Sequence, residues 1–278
     1  MTVLFTEFLG GRVFEVDADT LDPGTLTEFG GAALSGPSGA ARDGAGTVAV
    51  AELTADSVAA ADFGGGWTHF GSSGSGAGEF RRPVATAYSG GRIVVLDGGN
   101  SRLVFIDDIG GGGWTTYGHL GAPTAADPAE GAYADPRGLA VDTSDRIWVT
   151  DPGARRLTRI DGDLGGWTQI PLPGGAKPTV PYGVCAYLNG AAVIDVGNRR
   201  LLIVNDAGTR AVALDGSAWP APTFVTAAGD NLVVADLRAN ELRLLQPAGD
   251  DFDEVARLRG SPPDVIVPLF DSIGGLGS

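Results

Sequence analysis

Lysine is almost missing from this chain. Of its 278 residues only Lys177 is one, and the 19 bases stand against 34 acids, for a net charge of −15. Such a surface repels nucleic acid and anionic lipid, which speaks against readers of phosphate backbones and against membrane binding. Cysteine is equally scarce. The lone Cys185, in the apolar run PYGVCAY, excludes an internal disulfide framework and reads as a small core residue. The two histidines, His69 and His119, stand in no metal-ligand spacing. No run approaches the ~20 apolar residues of a membrane-spanning helix. The amino terminus, MTVLFTEFLGG, has no basic n-region, so the chain as given is expected to be cytoplasmic.

What the chain has in quantity is glycine (45), proline (17) and apolar residues (43%), enough for a sizeable core with many turns. The stretch IVVLDGGNSRLVFID from Ile93 shows how these are used: two short apolar runs flank a tight Asp-Gly-Gly-Asn turn, the signature of a β-hairpin. The hairpin recurs from Val3, Thr47, Ile147, Ala191 and Leu232, and an acid closes its first strand every time: Glu7, Glu52, Asp97, Asp151, Asp195 and Asp236. These acids follow one another at 45, 45, 54, 44 and 41 residues, a period that with strand-type units means a β-propeller.

In five units a proline precedes the hairpin acid by 14 or 15 residues: Pro37, Pro83, Pro136, Pro181 and Pro222. It opens a further strand at a position where its missing N–H does least harm. A fourth strand follows, often opened by glycines and a tryptophan, as around Trp67, Trp114 and Trp167. Four strands make a blade. A sixth proline, Pro263, opens PDVIVPLF with no hairpin after it, while the amino-terminal hairpin has no strand before it. The ring is therefore expected to close by pairing of the two terminal segments, which hides open sheet edges. The reading is all-β: one six-bladed propeller domain over 1–278, with blades near 36–71, 82–118, 135–173, 180–218 and 221–260. A closing blade is built from 3–30 plus 263–270.

The units GEFRRPVATAY…RIVVLDGGNSRLVFID, GAYADPRGLAVDTSDRIWVTDPGARRLTRID and VPYGVCAY…AAVIDVGNRRLLIVN resemble the NHL-repeat family of six-bladed propellers. The family pattern leads with glycines and a proline and ends its hydrophobic run D-x-x-N-x-R. The blades at Pro37 and Pro222 and the closing blade depart from it; Asn is absent from the turn, and Ser57 and Glu241 replace Arg. The resemblance implies the fold and says little of function, since such propellers serve as adhesion modules, RNA readers, lyases and hydrolases.

Two sets of residues are candidates for function. The six repeat acids lie on the face where the inner strands begin, with Arg12, Arg102, Arg156 and Arg200 five residues downstream of four of them. Repetition in every blade reads as structure, each carboxylate capping its own turn, because a metal site needs ligands that converge on one point. The residues after the inner-strand prolines are Ser38, Val84, Arg137, Tyr182, Thr223 and Asp264, a set that varies as a recognition surface would. The long lead-in loop Gly118 to Asp135 lands on the same face. No catalytic constellation, cofactor motif or metal cluster is legible. The sequence thus points to a non-catalytic module that binds a protein or peptide at the channel mouth and belongs to a larger assembly. The alternatives are a propeller enzyme, a lyase or lactone hydrolase with its site in the channel, and a binder of single-stranded RNA.

Overall fold

A computed structural model describes residues 1–62, 64–119, 131–162, 164–205, 208–214 and 219–260, and the backbone of 266–268. Asp264 and most of the long lead-in loop lie outside the described residues.

Six four-stranded antiparallel sheets stand in a ring, a six-bladed β-propeller. Each begins at the axis, and all but the closing blade run outward in chain order. Blade 1 comprises Pro37–Arg42, Val48–Glu52, Ser57–Ala61 and Thr68–Phe70. Blade 2 runs from Pro83–Ser89 to Thr115–Tyr117, blade 3 from Gly138–Val141 to Trp167–Ile170, and blade 4 from Pro181–Tyr187 to Gly208–Ala213. Blade 5 runs from Pro222–Ala228 to Asp251–Arg259. The closing blade takes its inner strand, Ile266–Pro268, from the end of the chain and its other three, Thr2–Glu7, Arg12–Asp17 and Thr27–Phe29, from the start. Phe5 lies opposite Pro268, Thr6 opposite Val267 and Glu7 opposite Ile266.

The middle strands are buried on both faces, not alternately. Every residue of Val48–Glu52, Ile147–Asp151 and Gly190–Asp195 is buried. A blade packs against a neighbour on each side, so both sides of its central strands need apolar groups. The core is accordingly a series of seams between blades. Val13 and Phe29 meet Ala40, Val48 and Val50 between the closing blade and blade 1. Cys185, Ile194 and Leu201 meet Val225, Leu232 and Val234 between blades 4 and 5. The outer-strand tryptophans join these seams: Trp67 lies 5.9 Å from Phe29 and donates to the Gly31 carbonyl, and Trp114 lies 5.3 Å from Phe80.

Toward the axis the strands crowd. A Cβ on Gly39 would lie 2.9 Å from the Ala85 Cα, one on Gly138 2.4 Å from the Tyr182 carbonyl oxygen, and one on Gly183 2.6 Å from the Phe224 Cα. Each glycine stands two residues after an inner-strand proline or, at Gly138, two after Pro136. The Pro-x-Gly sequence is therefore a fit to the axis, where neighbouring backbones touch. Gly138→Ala is expected to lower stability by about 1–3 kcal/mol through overpacking against backbone that cannot yield. Gly44→Ala, where nothing lies within 4 Å, serves as the neutral control. Urea melts of both variants check this; equal midpoints would show that the inner strands can part at no cost.

Candidate functional site

The chemistry nearest the axis begins with the six carboxylates. In blades 1, 2, 4 and 5 the inner-strand proline lies directly opposite the acid: Pro37 on Glu52, Pro83 on Asp97, Pro181 on Asp195 and Pro222 on Asp236. Proline has no N–H to give, and the carboxylate takes instead the N–H of the residue or residues just upstream. Asp97 accepts from Arg81, Asp151 from Ala134 and Asp135, Asp195 from Val180, and Asp236 from Ala221, all within 2.7–3.1 Å. Glu52 accepts from Ser35 in the same way.

The other oxygen, in most blades, holds the hairpin turn. Asn100 and Arg102 donate to Asp97, and Asn198 and Arg200 to Asp195. Arg156, only 2% exposed, donates to Asp151 and to the Ala132 carbonyl. Arg12 donates to Glu7. The two blades that lack this arginine solve the problem differently. In blade 1 the Ser57 hydroxyl and His69 Nδ1 lie 2.8 Å from Glu52 Oε2. In blade 5 Asp236 takes backbone N–H groups alone, while Glu241 is surrounded by Arg243, Arg257 and Arg259. The carboxylates are thus engaged with their own blades. Burial holds Asp97 above the ordinary aspartate range, outweighing the bonds from Arg81, Asn100 and Arg102.

Just past the proline the inner strand bulges. The ladder skips Ser38, Val84 and Thr223, and is irregular across Tyr182 and Gly183. A bulge re-aims side chains out of the pleat. Ser38, Val84, Arg137 and Tyr182 all line one funnel of about 160 Å³ at the axis. Thr223 does not; its hydroxyl donates to the Ala221 carbonyl at 2.8 Å, and its neighbour Phe224 lines the funnel instead. The remaining lining comes from Phe8, Leu53 and Leu237, each the residue directly after a repeat acid. Aligning those six following positions (Phe8, Leu53, Gly98, Pro152, Val196 and Leu237) would have revealed an apolar ring at the same level.

The funnel is apolar with a polar rim. Tyr182 lies against Phe224, ring centroids 5.5 Å apart. The Ser38 hydroxyl lies within hydrogen-bonding distance of the Ala51 and Pro83 carbonyls. Arg137 Nη2 pairs with Asp135 Oδ1 at 2.7 Å and keeps a quarter of its side chain in solvent. Of the long loop, Gly118, His119 and 131–135 are described, and the His119 N–H donates to Gly131.

At the opposite end of the ring the turns after the inner strands surround a wider hollow of about 490 Å³. Its acids have local duties. Asp43 caps the N–H groups of Ala45 and Thr47, Asp142 holds Arg146 and the Trp148 indole, and Asp145 receives the Gly90 N–H of the preceding blade. Among the described residues no three His, Cys, Asp or Glu side chains gather as a metal site, and no helix is long and apolar enough to cross a membrane.

No protein-family profile and no curated protein sequence matches the chain. Solved structures do. The chain is similar to a structure of the nidogen–laminin complex, with 17% identity, a TM-score of 0.75 and 95% of each chain covered. It is similar to virginiamycin B lyase from Staphylococcus aureus, with 16% identity, a TM-score of 0.68, and 92% of this chain and 80% of that one covered. A provisionally assigned 6-phosphogluconolactonase from Bacteroides uniformis gives 15% identity, a TM-score of 0.63 and coverages of 93% and 82%. At such identities the likeness establishes the propeller, and these neighbours include both enzymes and a component of a protein complex.

The latches differ in what their loss should cost. Asp195→Ala leaves the Arg200 guanidinium, 14% exposed, without its counter-ion, bonded only to the Pro173 and Gly174 carbonyls and Thr179, and orphans backbone donors as well; it is expected to cost about 3–5 kcal/mol. Asp236→Ala orphans backbone N–H groups alone and is expected to cost about 1–3 kcal/mol. Denaturant titrations decide; equal losses would mean that the arginine contributes nothing. For Asp97, whose folded pKa is raised, the contribution to stability is present below the ordinary aspartate value and lost as pH rises through the raised one. An NMR titration should find Asp97 ionising above the exposed aspartates.

Proposed function

We propose that this propeller is a binding module that holds a segment of another protein by an apolar side chain seated in the axial funnel. The carrying observation is the funnel itself: all six blades contribute to one small apolar opening with a single cation, Arg137, and a phenol, Tyr182, at its lip. Its volume, about 160 Å³, is below the ~300–1,000 Å³ of typical small-molecule sites and suits one anchoring side chain. The acids around it are engaged by backbone N–H groups and arginines, which leaves them poorly placed for proton transfer. Arginine and tyrosine are favoured anchors of protein interfaces.

The acidic balance supports a protein partner over RNA, and the likeness to a nidogen–laminin structure supports membership of an assembly. The Asp-x-x-Asn-x-Arg turns of blades 2 and 4, with both side chains holding the acid, support kinship with NHL-type propellers. The rival reading, a lyase or lactone hydrolase, draws on the other structural neighbours.

Selection of binders from a random peptide library on the intact protein tests the proposal. Selected peptides should carry a bulky apolar residue. Arg137→Ala with Tyr182→Ala should weaken them by about 30-fold or more, as expected for loss of ~2 kcal/mol, without moving the melting curve. Undiminished binding to the double variant would place recognition elsewhere. Turnover of virginiamycin B or of 6-phosphogluconolactone, abolished by the same double variant, would make the funnel an active site.

A further inference from the structure

Blade 5 ends differently from the others. The outer strands of the closing blade and blades 1 and 2 have three residues each, that of blade 3 four and that of blade 4 six. In blade 5 the outer strand Asp251–Arg259 has nine. At about 3.4 Å per residue it presents an edge on the order of 30 Å long. Among the described residues no other strand pairs with that edge.

Its charges are sorted along its length. The first half carries Asp251, Asp253 and Glu254, all exposed, and the second Arg257 and Arg259. Between them the ladder to the third strand is irregular: Ala256 pairs with Leu244 and Glu254 with Leu245, which leaves Val255 bulged, unpaired and 48% exposed. The basic half is held in place from within. Arg257 Nε donates to Glu254 at 2.8 Å, and Arg259 reaches Glu241 at 2.7 Å while remaining 72% exposed.

Native sheets guard long edges with charged side chains, lysine above all, which like charges on an approaching copy would oppose. A strand divided into an acidic and a basic half repels its own copy in parallel and attracts it in antiparallel. We propose that a second copy of this chain docks on this edge, antiparallel across a two-fold axis near Val255, so that each acidic half faces the other's Arg257 and Arg259. The arrangement is isologous and closes on itself as a dimer. Opposite charges across a strand pair stabilise it and like charges oppose it. The contact is narrow, below the ~1,200 Å² of stable interfaces, so the dimer is weak and salt-sensitive. The proposal is independent of the funnel, which opens at the axis while this edge lies on the rim.

Sedimentation of the full chain from about 5 to 500 µM at low salt should show a monomer–dimer equilibrium that shifts to monomer at high salt. Asp251→Lys with Asp253→Lys sets lysines against the partner's arginines and should weaken dimerisation at least tenfold. Val255→Lys, at a residue outside the ladder, should do the same if the double variant proves less stable. Amides of 251–259 should exchange more slowly as concentration rises. A chain that stays monomeric at 500 µM, or a dimer indifferent to both variants, would overturn the proposal.

Discussion

In blades 1 to 5 a carboxylate at the end of the second strand binds the upstream end of the inner strand to the hairpin that follows, and the rest of the architecture depends on that bond. Proline opens most inner strands without an N–H, so the strand's first residue donates nothing to the second strand. The acid instead accepts an N–H one or two residues upstream, from Arg81, Val180 or Ala221, and so sets where the strand starts and which residue bulges next. An ion pair behind it is optional. Blade 5 does without one, and blade 1 uses His69 and Ser57. What every described blade keeps is a buried acid at the one place where two loops must be joined.

The funnel follows from this start. Because the strand bulges just past the proline, Val84 and Tyr182 turn out of the ladder toward the axis. Glycines let neighbouring backbones approach one another one step further in. A small, apolar opening with a polar lip results. The same geometry forces the acids to face their own turns and leaves the lip residues as the part of this face most free to vary.

Much of this was legible in the sequence because it is repeated. Six acids at near-constant spacing, and prolines at a fixed offset, specify strands, turns and the joining of Thr2–Glu7 to Ile266–Pro268. Four of the six residues after the prolines, Ser38, Val84, Arg137 and Tyr182, line the funnel. What stayed hidden was local and unrepeated. Phe224 replaces Thr223 because the bulge shifts which residue faces inward, a matter of backbone torsion that residue spacing does not record. Phe8, Leu53 and Leu237 were overlooked because an apolar residue beside a turn acid looks like any hairpin residue. The arginine cluster around Glu241 depends on an outer strand whose length only the paired structure reveals.

Pairing of Phe5–Glu7 with Ile266–Pro268 also orders events in time. A ribosome adds about 5–20 residues per second, so the amino-terminal hairpin waits on the order of 12–50 s for its inner strand. Blades 1 to 5 can each assemble from contiguous chain as they emerge, every new blade covering the exposed flank of the one before. The first three strands made are the last to be completed, and until then their free edge at Phe5–Glu7 is a template for any other strand nearby. A chain of this design is most vulnerable when newly made, and Ile266–Pro268 is the clasp whose arrival ends that exposure.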